Sequence, residues 1–264
     1  MDIKLLIEDF HSTDHIKNKT IWLLWTWYNP MSSNRKACLS SFTQTNASCD
    51  VKLITPDIIA HLPHIHKGFW FLSAIQKGNY LRCYFMHNFG GGYSDIKRTT
   101  GDWEPSFDRL EKSDKIGIGY REVPKGSARL EHCTLDPTKS VYCREFTLNE
   151  TGTQWSSKHL ESNMDKLIGC GCYMFRKQTE FTQDWWNALH EKMDGYYDEL
   201  KKNPATWPLD TAGDHFGLNP NTGIPSKYPI PHTVNGGCVL HPTVLKYSEQ
   251  ILKSLPIFKR SLYR

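Results

Sequence analysis

Residues 77–97 read KGNYLRCYFMHNFGGGYSDIK and hold the side chains whose types and spacing best suit chemistry on a ligand. Apolar positions Leu81, Tyr84, Phe85 and Phe89 predict a helix over 79–89 that carries Arg82. Gly90, Gly91 and Gly92 then end it and throw the chain into a short strand closing on Asp95. A carboxylate at the carboxyl end of a strand faces the crevice where open α/β sheets bind ligands, and three glycines permit positive φ and close backbone approach. The competing reading is a tight turn followed by a solvated Asp.

Other constellations are thinner. Asp102 and Glu104 follow closely and could supply a second carboxylate, although DWEP reads more simply as a turn. Asp210 and Asp214 sit in the irregular segment LDTAGDHFGLNP, where either could act as acid, base or acceptor contact. Cys170 and Cys172 are two apart on a strand-like segment and should share a face, but nothing completes a zinc-finger spacing. His61, His64 and His66 could form a metal cluster, yet PHIHK fits a solvated turn better.

The elements that must position these residues are legible from pattern. Residues 19–30, KTIWLLWTWYNP, read as a buried strand, Ser32 or Ser33 caps a helix toward Asn46, and 51–55 form a second strand. That is the length of a βαβ unit with parallel strands. Residues 115–120 and 167–175 are further strands, and 121–157 read as a long surface excursion. Thr179 caps a long helix with the stripe Phe181, Trp185, Leu189, Met193, Tyr196 and Leu200. A last helix is expected over 242–254. The fold class is α/β: an open, mostly parallel central sheet flanked by helices, in a single domain spanning 1–264, with no linker and no repeat.

Composition limits the functions available. The 32 basic and 28 acidic residues give a net charge of +4, too mild for the single-sign field of a non-specific nucleic-acid binder. No apolar run is long enough to span a bilayer, and the first 15 residues lack the layout of a secretory signal. The expected setting is therefore the cytoplasm, with all eight cysteines as free thiols. The sequons at Asn18, Asn46 and Asn149 then carry little meaning.

The block from Asn79 through Arg82 and the glycines to Tyr93, Asp95 and Lys97 resembles the DXD-containing glycosyltransferases of the GT-A fold. The likeness is to the sugar-binding group that includes capsular polysaccharide synthesis proteins, initiation mannosyltransferase-like enzymes and clostridial toxin glucosyltransferases. It covers about residues 19–103, the nucleotide-sugar half, with 104–264 as the acceptor side; a looser likeness lies in 236–247. The resemblance implies a Rossmann-like nucleotide-binding half and transfer of a hexose, with retention, from a UDP-sugar such as UDP-glucose to a glycan or glycoside hydroxyl. It implies that Trp25, with Thr26 beside it, meets the base, that Arg82 binds sugar or ribose hydroxyls, and that Tyr93 and Ser94 lie beside the nucleotide. Asp95 becomes the first acid of the motif and, with Asp210, the candidate catalytic carboxylate.

Two positions depart from the family pattern. Asn79 stands where an Asp usually grips the donor sugar, and Lys97 stands where the second acid should ligate a metal. An ammonium cannot be a ligand. A weak Mn²⁺ or Mg²⁺ site is expected, held by Asp95 with His241, Asp210 or His215 completing the shell, or else Lys97 itself supports the diphosphate. The family reading fits polysaccharide synthesis in the cytoplasm, or in a host cytoplasm if the chain is virus-encoded. The alternatives are a non-catalytic nucleotide-sugar or carbohydrate-binding protein with a degenerate motif, and a hydrolase with Asp95 as nucleophile.

Overall fold

A computed structural model of the chain describes residues 3–122, 160, 162–212, 223–224 and 226–258. The surface excursion expected over 121–157 therefore lies almost wholly outside the described residues, as do Asp214 and His215.

The βαβ start is as the pattern predicts. Strand β1 (Thr20–Leu24) leads through helix α2 (Ser33–Thr45), whose N-cap Ser32 accepts from the Arg35 amide, into β2 (Asp50–Ile54), and β1 and β2 pair in parallel. β1 is shorter than the apolar run: the chain leaves the sheet after Leu24, and Trp25 turns its indole N–H back to the Asn29 carbonyl at 2.9 Å. The aromatics after Leu24 thus belong to a loop at the carboxyl end of the strand.

Helix α3 (Pro56–Ile59) and a 3₁₀ turn (Lys67–Phe71) lead to α4 (Ala74–Asn88), which starts at its cap Ser73, earlier than the expected 79. Gly78 and Asn79 are weak helix formers, and burial of Gln76, Asn79 and Tyr80 overrides that preference. Gly90 and Gly91 have φ of +71° and +91°, and a Cβ on Gly91 would lie 2.9 Å from the Thr20 carbonyl oxygen. The glycines thus let β3 (Gly91–Ser94) lie tightly against β1.

Besides the short α3, two helices escaped the sequence reading: α1 (Ile3–Ser12), which buries Ile7 and Phe10, and α5 (Glu104–Glu111), which has Pro105 in its first turn, where a plain turn was expected. Strand β4 (Gly117–Arg121) and the long β5 (Ile168–Phe175) follow, then α6 (Glu180–Lys202) with a Thr179–Thr182 capping box and its whole predicted stripe buried. The last helix, α7 (Gly237–Lys246), holds Pro242 in its interior and ends well before 254. Reading Pro242 as a first-turn residue misplaced it; complete burial of the segment keeps it helical despite the missing N–H. β6 (Ile251–Leu252) completes the sheet.

The strand order is β2-β1-β3-β5-β4-β6, and β5 alone runs against its neighbours, giving an open, mostly parallel α/β sheet. Alternation along the strands divides the core. Trp22, Tyr173 and Phe175 pack with Phe10, Phe85 and Trp185 of α1, α4 and α6, whereas Ile21, Leu23 and Met174 meet Phe42 of α2, Trp103 and Phe107 of α5. No helix among the described residues is long and apolar enough to cross a membrane.

One pairing irregularity re-aims a pair of side chains. Gly119 faces Tyr173 but Arg121 faces Ile168, so β5 carries extra residues between them. Cys170 and Cys172 consequently do not share a face: Cys170 joins the core of Tyr173, and Cys172 joins that of Met174. Both are free, as are Cys38, Cys49 and Cys83. Cys238 is disulfide-bonded, which corrects the expectation of free thiols throughout.

Candidate functional site

Helix α2 lies on one face of the sheet and α4 on the other, so the chain segments flanking β1 cross on opposite sides. That arrangement opens a crevice beyond the carboxyl ends of β1 and β3. A cleft of about 510 Å³ occupies this place. Trp25, Thr26, Asn79, Arg82, Tyr93, Asp95 and Lys97 all line it, although they come from the β1 loop, α4 and the end of β3.

Asp95 is the hub. Its Oδ1 accepts from Arg82 Nη2 at 2.9 Å and from the Tyr93 hydroxyl at 2.6 Å, and its Oδ2 accepts from Lys97 Nζ at 2.7 Å. Burial opposes its charge, but Lys97 and Arg82 outweigh that and hold its pKa at about 2. Burial also lifts the Tyr93 phenol well above its usual range, which keeps it a donor. Arg82 further donates to the Cys170 carbonyl at 3.3 Å and stacks over the Tyr93 ring. Lys97 rests on the Phe258 ring, 4.4 Å from its centroid. Asp95 is thus neither the solvated carboxylate of a plain turn nor a base at neutral pH.

β5 supports this hub as well: the β3–β5 register continues past Ser94 and Cys172, so the Gly171 carbonyl accepts from the Asp95 amide at 2.8 Å, and the Cys170 carbonyl accepts from Arg82. On the opposite wall, Gln76 donates to the Pro231 and His232 carbonyls, and Asn79 donates to Asn235 Oδ1 at 3.3 Å, docking the 231–236 segment on α4. Asn79 is therefore partly engaged in structure. A Cβ on Gly236 would sit 2.9 Å from its amide nitrogen, so this approach requires glycine.

Sequence reasoning missed Arg35, a third cation on the wall, which donates to the Ile96 carbonyl at 2.7 Å. Its signal was present: it stands in the first turn of the helix that follows β1. It also missed His232 and Thr233, whose place depends on the docked segment. Among the described lining residues the charges are three cations, Arg35, Arg82 and Lys97, and one carboxylate, Asp95, a cationic balance suited to an anion.

Three candidates do not reach the wall. Ser94 spends its hydroxyl on the Asp95 carbonyl. Asp210 is buried, and its Oδ2 holds the Thr206 amide at 2.9 Å, a turn-forming role. His241 is fully buried behind the cleft, with Nε2 3.4 Å from Cys170 Sγ and 3.5 Å from Glu122 Oε2. Burial disfavours its charge, but Cys170 and Glu122 raise its pKa above the usual imidazole range. A protonated ring offers no lone pair to a metal.

The described residues do not fit a divalent cation. Both Asp95 oxygens are taken by cations and a phenol, and no group of three His, Cys, Asp or Glu side chains among the described residues could hold a metal. His66 bridges to Asp194 at 3.0 Å and caps Gly68 through Nδ1, while His61 and His64 are exposed, so that trio is no cluster. Glu104 pairs with Lys19, and Asp102 Oδ1 accepts from the Glu104 amide at 3.1 Å, both at the amino end of β1 and away from the cleft.

No protein-family model matches the chain, and no curated protein matches it either.

Proposed function

We propose that the chain is a glycosyltransferase that takes a nucleotide sugar, a UDP-hexose, into this cleft and moves the hexose to a hydroxyl of a glycan or glycoside. One observation carries the reading. Residues singled out for base, sugar and diphosphate contacts, from Trp25 to Lys97, converge on one cationic cleft at the ligand-binding edge of the sheet. In this reading Trp25 stacks on the base, Arg82 and Tyr93 lie beside the ribose and diphosphate, and the hexose points toward Asn79 and His232. Negative charge that builds on the departing diphosphate meets Arg35, Arg82 and Lys97, donors already oriented by Asp95, Tyr93 and the Ile96 carbonyl. Asp95 acts by holding these cations in place. The acceptor enters past Pro208 and the exposed Leu209 on the cleft rim.

Release of UDP from UDP-glucose, alone and with sugar acceptors, tests the reading. Trp25→Ala should weaken UDP and UDP-glucose alike by about tenfold, since the lost stacking lies outside the sugar. A loss confined to the sugar nucleotide would move Trp25 to the hexose. The engagement of both Asp95 oxygens by Arg82, Tyr93 and Lys97 favours a second reading, a nucleotide-sugar-binding protein without catalysis; binding with no UDP release under any acceptor would select it. A hydrolase using Asp95 as nucleophile is disfavoured, because both its oxygens are engaged and no second carboxylate lines the cleft among the described residues.

A further inference from the structure

We propose that the Lys97 ammonium does the work a divalent cation does in many nucleoside-diphosphate sites, so that this cleft binds the diphosphate of its ligand without any metal ion. The inference rests on the reading of the cleft as a nucleotide-sugar site, and it concerns how that site neutralises its ligand.

The charge balance comes first. A carboxylate with a divalent cation bound to it has a net charge of one positive unit, the same as a single lysine. A site of one arginine, one aspartate and one lysine therefore presents the same net charge to phosphates as one of an arginine, two aspartates and a divalent cation. Arg35 adds a further unit on the same wall.

Position comes second. A lysine on a flexible stem at the surface would be a poor substitute for a fixed ion, because ordering it on binding costs entropy. Lys97 is already ordered: its side chain is 8% exposed, its Nζ is 2.7 Å from Asp95 Oδ2, and the Phe258 ring lies beneath it. Asp95 in turn is fixed from its other oxygen by Arg82 and Tyr93. The carboxylate that would otherwise ligate a metal is thus committed to holding two cations at the cleft wall. A metal could bind it only by displacing Lys97 into a largely buried space next to its own charge.

Calorimetric titration of the full chain with UDP, in EDTA and in Mn²⁺, tests the inference. Wild type should bind UDP in EDTA within about threefold of its affinity in Mn²⁺, while Lys97→Met should lose about tenfold or more under both conditions. Lys97→Asp should bind UDP only when Mn²⁺ is present, since two carboxylates then face the cation. Lys97→Arg keeps the charge and should keep metal-free binding, which guards against a folding defect in the neutral variant. Wild type that binds in Mn²⁺ but is more than about tenfold weaker in EDTA would overturn the inference. If UDP fails to bind under either condition, the nucleotide reading of the cleft falls, and inorganic pyrophosphate in EDTA decides the remainder. Pyrophosphate binding that is lost in Lys97→Met would uphold the metal-free anion site; its absence in wild type would end it.

Discussion

Two three-membered ion clusters sit at opposite ends of the same sheet and are near mirror images in charge. At the carboxyl end of β3, one carboxylate, Asp95, lies between two cations, Arg82 and Lys97. At the amino end of β1, one cation, Lys19, lies between two carboxylates, Glu104 and Asp108. The first has side chains 8 to 20% exposed and lines the cleft; the second has its carboxylates about 40% exposed and lies away from that cleft. Hydrogen bonds shift both: Glu104 and Asp108 raise the Lys19 pKa, and Lys19 lowers that of Glu104. In water such a pair contributes little, whereas at the partly buried end the same chemistry fixes charges for a ligand. A perturbed ionisation marks a site only when burial and a cavity accompany it.

Removing the hub gives the largest expected effect. Asp95→Ala should lower UDP release about 100-fold or more, because the cations of the cleft lose their orientation. It should also destabilise the fold by about 2 to 3 kcal/mol, since two cations are left close together and partly buried. Activity and melting temperature measured together on one preparation check both parts, and an active, equally stable variant would erase the contrast between the clusters.

Acid sharpens the comparison next. The folded pKa of Asp95 is depressed from 3.8 to about 2, so its stabilising contribution is complete above about pH 4 and is lost as pH falls toward 2. The stability gap between wild type and Asp95→Asn should therefore shrink by about 2 kcal/mol across that window in urea titrations. A gap independent of pH would show that the cation pair does not hold the carboxylate.

The smallest effect belongs to the other end. Glu104→Gln should leave UDP affinity unchanged and the melting temperature without a resolvable shift, because solvent screens the pair with Lys19. A loss of UDP binding there would mean that the site extends beyond the cleft described.

Much of the frame was legible because local pattern encodes it. The βαβ opening, the Ser32 and Thr179 caps, the buried stripe of α6 and the glycine-driven entry to β3 all depend on neighbours in sequence, where period and propensity act. The same local pattern places Arg82, Tyr93, Asp95 and Lys97 near one strand end, whereas by pattern alone Trp25 reads as part of a buried strand. Helix α1, with apolar residues at Ile3, Leu5, Leu6, Ile7 and Phe10, was legible by period and was nonetheless missed, and α7 was misplaced because a rule about proline yielded to burial.

What the sequence by itself determined is therefore the strand-end address of the chemistry and the residue types delivered to it, Asn79 and Lys97 included. Tertiary structure alone decided the partners. It set Lys97 against Asp95, brought Arg35 to the same wall, used a β5 bulge to part Cys170 from Cys172, and buried His241 away from the cleft. The physical reason is that ion pairing and burial depend on distance through space, and register irregularities and loop docking fix such distances between residues that no period in the chain connects.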